Sequence, residues 1–143
     1  MGVLRLAVYT WHFIDLRFVT TKFKYFLRLF MCMKIRKEDI ARIAKGFGGN
    51  LRNSSSLDYA LEKQDDKKLG IKKKLSYLLR AILVDHPFSD GNKKTAFFIS
   101  LAFAEECHKI VNEELLKHQI LSIATKNLAN IRVIEERIKH AVH

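Results

Sequence analysis

Cysteine, proline and long apolar runs are all scarce in this sequence. The 143 residues include two cysteines and one proline. Cys32 and Cys107 lack the paired spacing of a disulfide framework or a zinc site, so we expect two reduced, buried thiols and a reducing, cytoplasmic location. Because the only proline is Pro87, long helices can form on either side of it.

Residues 1–34 are rich in aromatic and basic side chains but contain no segment that we expect to cross a membrane. A transmembrane helix needs about 20 consecutive apolar residues, and charged side chains interrupt every such window. No small-residue cleavage site follows an apolar block, which argues against a secretory signal. Three interpretations remain: a docking helix or strand, an extension of a chain that starts at Met31 or Met33, and a basic helix on a membrane surface. We therefore separate an N-terminal extension, 1–34, from a domain, 35–143.

The charge is strongly positive, with 26 lysines and arginines against 15 acidic residues and a net charge of +11. Such a balance is typical of proteins that bind nucleic acids, acidic membranes, or acidic partners including nucleotides. The basic residues are scattered, without a helix-turn-helix or an aromatic and basic stripe, which argues against nucleic acid. The hydrophobic fraction of 48% is sufficient for one ordinary globular core.

Apolar residues recur at helical spacing after residue 34, and no alternating strand pattern appears there, which predicts an all-α fold. The second expected helix, around Leu57, would be capped by Ser55 or Ser56. The other helices are expected near 37–45, 70–85 and 93–106, directly after Asn112, and at 131–141. The helix at 93–106 has almost no polar face, which is typical of a central helix surrounded by others.

The ten residues His86 to Thr95, with the sequence HPFSDGNKKT, lie between the two most regular predicted helices. Pro87 and Gly91 predict a stiff, tight loop that leads into a helix start. Unpaired N–H groups and a partial positive charge make such a start a site for anions. Lys93 and Lys94 fall in the first turn, where positive charge is unfavourable unless an anion compensates it.

Two further side chains in this string suit phosphate chemistry. Asp90 offers an oxygen ligand to Mg²⁺, which binds through one or two carboxylates together with phosphates. His86 is close enough along the chain to act as a base beside the anion. Each residue alone is common in ordinary loops, but the combination within ten residues, before an apolar helix, predicts a nucleotide-phosphate site.

The string HPFSDGNKKT resembles the signature of the Fic/Doc (Fido) family, H-P-F-x-[D/E]-G-N-[G/K]-[R/K]-T. The matching residues are His86, Phe88, Asp90, Gly91, Asn92 and Thr95. Upstream, the stretch LDYAL at 57–61 resembles the "LesAL" stretch of Doc-like (death-on-curing) proteins. The resemblance covers roughly 35–143. It implies a Fido-type helical bundle around a buried central helix, with a small flap for which the loop 46–56 is the candidate.

The resemblance also implies roles for individual residues. His86 would deprotonate a hydroxyl of a target protein, and Asp90 would hold Mg²⁺ on the phosphates of ATP. Phe88 would be a core plug that fixes the loop. Asn92 and the backbone amides of 91–94 would form the anion hole. The nucleotide-binding residues would be Gly91, Asn92, Lys93, Lys94 and Thr95.

Two residues depart from the signature, and the second of them favours the Doc-like toxin branch. Lys94 stands where the family usually has an arginine, and Phe97 stands where nucleotidyl-transferring members have a second one. Doc-like members share the gap at Phe97 and the lysine at Lys93. Resemblance to the Doc-like members implies phosphoryl transfer from ATP to a Ser/Thr hydroxyl of a protein such as a translation factor. AMP transfer by the same motif and a catalytically inactive binding module are the alternatives.

The resemblance also bears on regulation. The family's inhibitory motif, [S/T]-x-x-x-E-[G/N], has only a poor counterpart in Ser54 and Asp58. A Doc-like protein without that motif is expected to be restrained by a separate antitoxin, whose disordered segment would fold on binding.

Overall fold

A computed structural model describes residues 35–143, which form six helices. They are α1 (Lys37–Gly46), α2 (Ser55–Lys63), α3 (Ile71–Leu83), α4 (Asn92–Glu106), α5 (Glu113–Lys126) and α6 (Ile131–Ile138). Strand pairing in this part of the chain is limited to two isolated antiparallel bridges, Leu51 with Phe88 and Val111 with Val142. The predicted all-α fold is confirmed. The interpretations of residues 1–34, and of Cys32, concern residues outside this range and stay predictions, as does the domain division.

Two helices, α3 and α4, form the centre of the core. Ten consecutive residues of α4, 95–104, are buried, as the absence of a polar face predicts. This helix lies against α1, α3 and α5, whereas α3 lies against α2, α4, α5 and α6. The apolar residues of α3 recur every three or four positions and bury one broad face, including Leu75, Leu79 and Ile82. Helix α4 is therefore the buried central helix that the sequence predicts, and α3 packs against it through its apolar face.

The start of α2 differs from the sequence prediction. Ser55 and Ser56, the two expected caps, both lie inside the helix, and Ser54 occupies the N-cap position. The Ser54 hydroxyl donates to Asp58 Oδ2 at 3.0 Å instead of capping a backbone N–H group. Lys37 Nζ lies 3.0 Å from Asp58 Oδ1, and these two contacts, that of Lys37 first, lower the pKa of the Asp58 carboxyl. This ion pair joins α1 to the first turn of α2.

The ends of α4 and α5 follow their local sequence. The helix expected after Asn112 is α5, and Asn112 caps it by accepting a hydrogen bond from the Leu115 N–H group at 3.1 Å. Cys107 follows α4 as a free, half-buried thiol. Burial, followed by the nearby charge of Glu106, raises the pKa of this thiol. Within residues 35–143, no helix is both long and apolar enough to cross a membrane.

Candidate active site

The motif loop between α3 and α4 is joined to the loop 47–54, which connects α1 to α2. The Ser89 N–H group donates to the Asn50 carbonyl at 2.9 Å, and the Arg52 N–H group donates to the Pro87 carbonyl at 2.7 Å. The Asn50 N–H group also donates to Ser89 Oγ at 2.9 Å. These bonds align the two loops in antiparallel fashion, so the shape of the motif loop depends on a segment distant in sequence.

Phe88 and Asn92 close the motif loop from the inside. The Phe88 ring is buried, which confirms its predicted role as a core plug. The Phe88 N–H group donates to Asn92 Oδ1 at 3.2 Å, and Asn92 Nδ2 donates to the Phe88 carbonyl at 3.0 Å. Both ends of the Asn92 amide therefore hold the loop. A contribution of Asn92 to an anion hole stays a prediction.

The first turn of α4 carries positive charge and has no acidic residue of its own. Lys93 and Lys94 fall in the first turn, and that turn contains no acidic residue. Lys94 Nζ lies 5.9 Å from the centroid of the Phe47 ring, and no ion pair within residues 35–143 involves either lysine. The first N–H groups of a helix have no intrahelical acceptor. This helix start is therefore suited to an anion.

Two glycines allow the loops to approach each other closely. Gly91, the N-cap of α4, has a left-handed φ of +71°, and a Cβ atom there would lie 2.8 Å from Phe47 Cβ. A Cβ atom on Gly49 would overlap the carbonyl oxygen of Asp90 and lie 3.2 Å from the carbonyl oxygen of Ala44. The glycine pair after α1 was the signal that could have indicated a close backbone contact.

His86 and Asp90 lie on the exposed side of the motif loop. His86 has a left-handed φ of +47°, which residues other than glycine rarely adopt. Within residues 35–143, no hydrogen bond or ion pair occupies its imidazole. Asp90 Oδ1 accepts a hydrogen bond from the Gly91 N–H group at 2.7 Å, while the other carboxylate oxygen has no partner in the described part of the chain. An imidazole and a carboxylate oxygen are thus both available to ligands.

Thr95 is placed differently from the other predicted site residues. It is fully buried one turn inside α4, and its N–H group donates to the Gly91 carbonyl at 2.9 Å. The Thr95 hydroxyl has no hydrogen-bond partner among residues 35–143. The structure therefore brings residues 86–94 together at one end of α4 and places Thr95 in the core. A contact between Thr95 and a nucleotide stays a prediction.

The donor set fits a magnesium ion that is bound together with phosphates. Asp90 supplies one exposed carboxylate, and Mg²⁺ commonly takes one or two carboxylates with phosphate oxygens and water. Within residues 35–143, no group of three or more His, Cys, Asp or Glu side chains could hold a metal by itself. Asp90 is therefore the residue that would hold Mg²⁺ beside a bound nucleotide.

Comparison with protein families relates this geometry to known proteins. Residues 34–104 match the Fic/DOC family. The match spans just under half of the chain and contains α1 to α3, both loops of the site and most of α4. No curated protein and no solved structure matches the chain. The match supports the Fic/DOC relationship that the motif indicates. Members of this family generally transfer nucleotide-derived groups to proteins and use ATP, usually with Mg²⁺.

Proposed function

We propose that this protein is a Doc-like toxin that transfers the γ-phosphoryl group of ATP to a serine or threonine hydroxyl of a target protein. One observation carries the proposal: a single short loop presents the exposed imidazole of His86 and the exposed carboxylate of Asp90, and then continues into the first turn of α4, which contains two lysines and no acidic residue. A base, a magnesium ligand and an anion site thereby lie within a few residues of one another.

His86 is the proposed general base. Its imidazole accepts the hydroxyl proton as the target oxygen forms a bond to the γ-phosphorus, and the bond from that phosphorus to the β–γ bridging oxygen breaks to release ADP. General bases typically contribute about 10²–10⁴-fold to a rate. The N–H groups of the first turn of α4, with Lys93 and Lys94, hold phosphate oxygens. Mg²⁺, when bound through Asp90, neutralises phosphate charge.

Phe97 favours phosphoryl transfer over AMP transfer. Its side chain is fully buried, and its ring lies edge-on to Phe98 with the centroids 5.9 Å apart. By the resemblance, this position holds the second arginine of nucleotidyl-transferring members. A buried phenyl ring cannot bind terminal phosphates, so the grip that would present the α-phosphate is missing.

The loop 47–54 supports docking of the target by strand addition. Its inner edge is paired with the motif loop, and an antiparallel bridge directs the N–H and C=O groups of Leu51 to the opposite side. Leu51 is 42% exposed. An extended peptide could pair with this outer edge and bring a hydroxyl towards His86.

Regulation by a separate antitoxin is part of the proposal. Ser54 and Asp58, the nearest counterpart of the family's inhibitory motif, are hydrogen-bonded to each other, and Asp58 is paired with Lys37. Neither side chain is therefore available to act as an internal inhibitor, which supports restraint by another protein.

Two labelled forms of ATP test the proposed reaction. The full chain is incubated with Mg²⁺ and a cell lysate, with the label on either the γ- or the α-phosphate. We expect labelled protein from the γ-form only. Label from the α-form would indicate AMP transfer, and no label from either form would indicate a binding module without catalysis.

A matched pair of variants tests the base. Asparagine tolerates the left-handed backbone of His86 but cannot act as a base, so His86→Asn should lower the transfer rate at least about 100-fold. His108 is also exposed, with a φ of +54°, and His108→Asn should retain the rate. Unchanged transfer by His86→Asn would contradict the proposed role.

A further inference from the structure

A pocket lies between α2 and α3, outside the motif loop but adjacent to it. Its volume is about 220 Å³, and its walls include Ser55, Ser56, Tyr59, Tyr77, Arg80 and Asp85. Asp85 directly precedes His86, and Ser55 follows the loop 47–54. The pocket therefore borders both the proposed base and the proposed docking edge.

Arg80 carries a positive charge in this pocket without a counter-ion. Its Nε atom is buried and has no hydrogen-bond partner within residues 35–143. No ion pair in that part of the chain joins its guanidinium to a carboxylate, Asp85 included. A partly buried guanidinium without an acceptor is costly. An acceptor supplied by a ligand would remove that cost.

The remaining walls suit a short anionic side chain. The rings of Tyr59 and Tyr77 meet edge to face with centroids 5.9 Å apart. Lys63 Nζ lies 5.0 Å from the first centroid and 5.8 Å from the second, which adds positive potential near this wall. Ser55 and Ser56 contribute hydroxyl groups in the first turn of α2. The pocket thus combines apolar walls for a stem with donors for a charged end.

We propose that this pocket binds a glutamate or aspartate side chain of the target protein, close to the hydroxyl that is modified. The inference rests on the proposed function. A guanidinium binds a carboxylate through two parallel N–H···O bonds, and Arg80 has no such partner of its own. Ser55, a wall of the pocket, follows Leu51 by four residues, so the free edge and the pocket are close along the chain. Asp85 limits the affinity, because its charge opposes a second carboxylate.

A peptide set tests this selectivity. Each peptide contains one threonine and carries Glu, Gln or Lys at one flanking position, and the full chain modifies it with ATP and Mg²⁺. Mass spectrometry gives the rate for each peptide. At one position we expect Glu to be preferred over Gln by about tenfold. Equal rates for Glu and Gln at every position, or a preference for Lys, would overturn the inference.

Three variants and one control variant locate the source of the preference. Arg80→Gln should reduce the Glu/Gln ratio to about 1, and Arg80→Lys, which keeps the charge but loses the planar fork, should leave an intermediate ratio. Asp85→Asn should increase the ratio. Lys117→Gln removes another partly buried cation, one paired with Glu114, and should leave the ratio unchanged. A ratio that persists in folded Arg80→Gln would exclude Arg80 as the binding group.

A binding measurement separates failure of the pocket from failure of the enzyme. If neither a peptide nor a protein in the lysate is modified, the proposed function is wrong, and the NMR signal of the Arg80 Nε–H group decides on the pocket alone. Glu-containing peptides should shift this signal and Gln-containing peptides should not. An equal shift by both peptides, an absent shift, or an equal shift by inorganic phosphate would overturn the assignment to an acidic side chain.

Discussion

Replacing Gly49 with alanine tests the contact between the two loops of the site. The new Cβ atom would overlap the carbonyl oxygen of Asp90 and lie 3.2 Å from that of Ala44. Both are backbone atoms, so neither can rotate away, and overpacking of this kind costs about 1–3 kcal/mol. A less flexible unfolded chain offsets about 0.4–1 kcal/mol of that cost. We expect a net destabilisation of about 1–2 kcal/mol.

Gly70→Ala is the matched control, since a Cβ atom at Gly70 would meet nothing within 4 Å. Loss of a good N-cap residue and reduced freedom of the unfolded chain act in opposite directions there, so stability should stay within about 0.5 kcal/mol. The free energy of unfolding of both variants is measured by urea titration with far-UV circular dichroism as the signal. Because Gly49→Ala also displaces Asp90, the rate of label transfer should fall about 100-fold, the typical effect of a 1 Å misplacement. Equal stability of the two variants would refute the reasoning.

Three further changes probe α4 and its surroundings. Asn92→Ala removes two hydrogen bonds and leaves buried Phe88 backbone groups unpaired, so it should lower the free energy of unfolding in urea by about 2–3 kcal/mol. Asn112→Ala, which removes one helix cap, should lower it by about 1 kcal/mol. Thr95→Val replaces a buried hydroxyl that has no partner among residues 35–143, so the melting temperature should be retained or raised. Loss of phosphoryl transfer in a folded variant would instead indicate that Thr95 contacts the nucleotide. Burial raises the pKa of the Glu106 carboxyl, so its ionised form is disfavoured in the folded protein. Glu106→Gln should therefore raise the melting temperature at pH 7. Below the ordinary pKa of the carboxyl, Glu106 is protonated in both the folded and the unfolded wild-type protein, so the variant should lose this advantage. An increase in melting temperature that does not depend on pH would contradict burial of the ionised carboxylate as the cause.

Helix positions were largely predictable because the signals for them are local. The apolar face of α3 and the uninterrupted apolar surface of α4 are written in residues within a few turns of each other. Asn112 likewise caps its helix through a bond to Leu115, three residues away. Interactions of such short range need no knowledge of the remaining chain.

The start of α2 shows where local reasoning failed. Three consecutive serines, 54–56, are all acceptable caps, so their sequence cannot choose among them. Asp58 holds Ser54 at the N-cap position and is itself paired with Lys37 on another helix. At the same boundary, Asn53 Oδ1 accepts a hydrogen bond from the Ser55 N–H group at 3.0 Å, so the helix start combines local bonds with a contact between helices.

The candidate site shows the same division. Its residue types and their order, including the proposed base His86 and the proposed magnesium ligand Asp90, could be taken from ten consecutive residues. The pairing of that loop with residues 50–52, and the pocket around Arg80, depend on segments that lie far apart in sequence. No periodicity or spacing reports such contacts.

By itself, the sequence of this protein determined an all-helical fold for residues 35–143, a central apolar helix, and the residue types of one loop from which a phosphate site is predicted. Those features depend on side-chain type and on neighbours within a few residues. Only the tertiary structure decided that Asn92 holds Phe88, that Gly49 lies against Asp90, and that Thr95 is turned into the core. These outcomes follow from close packing of whole helices and loops, which sets distances between atoms that the order of residues leaves open.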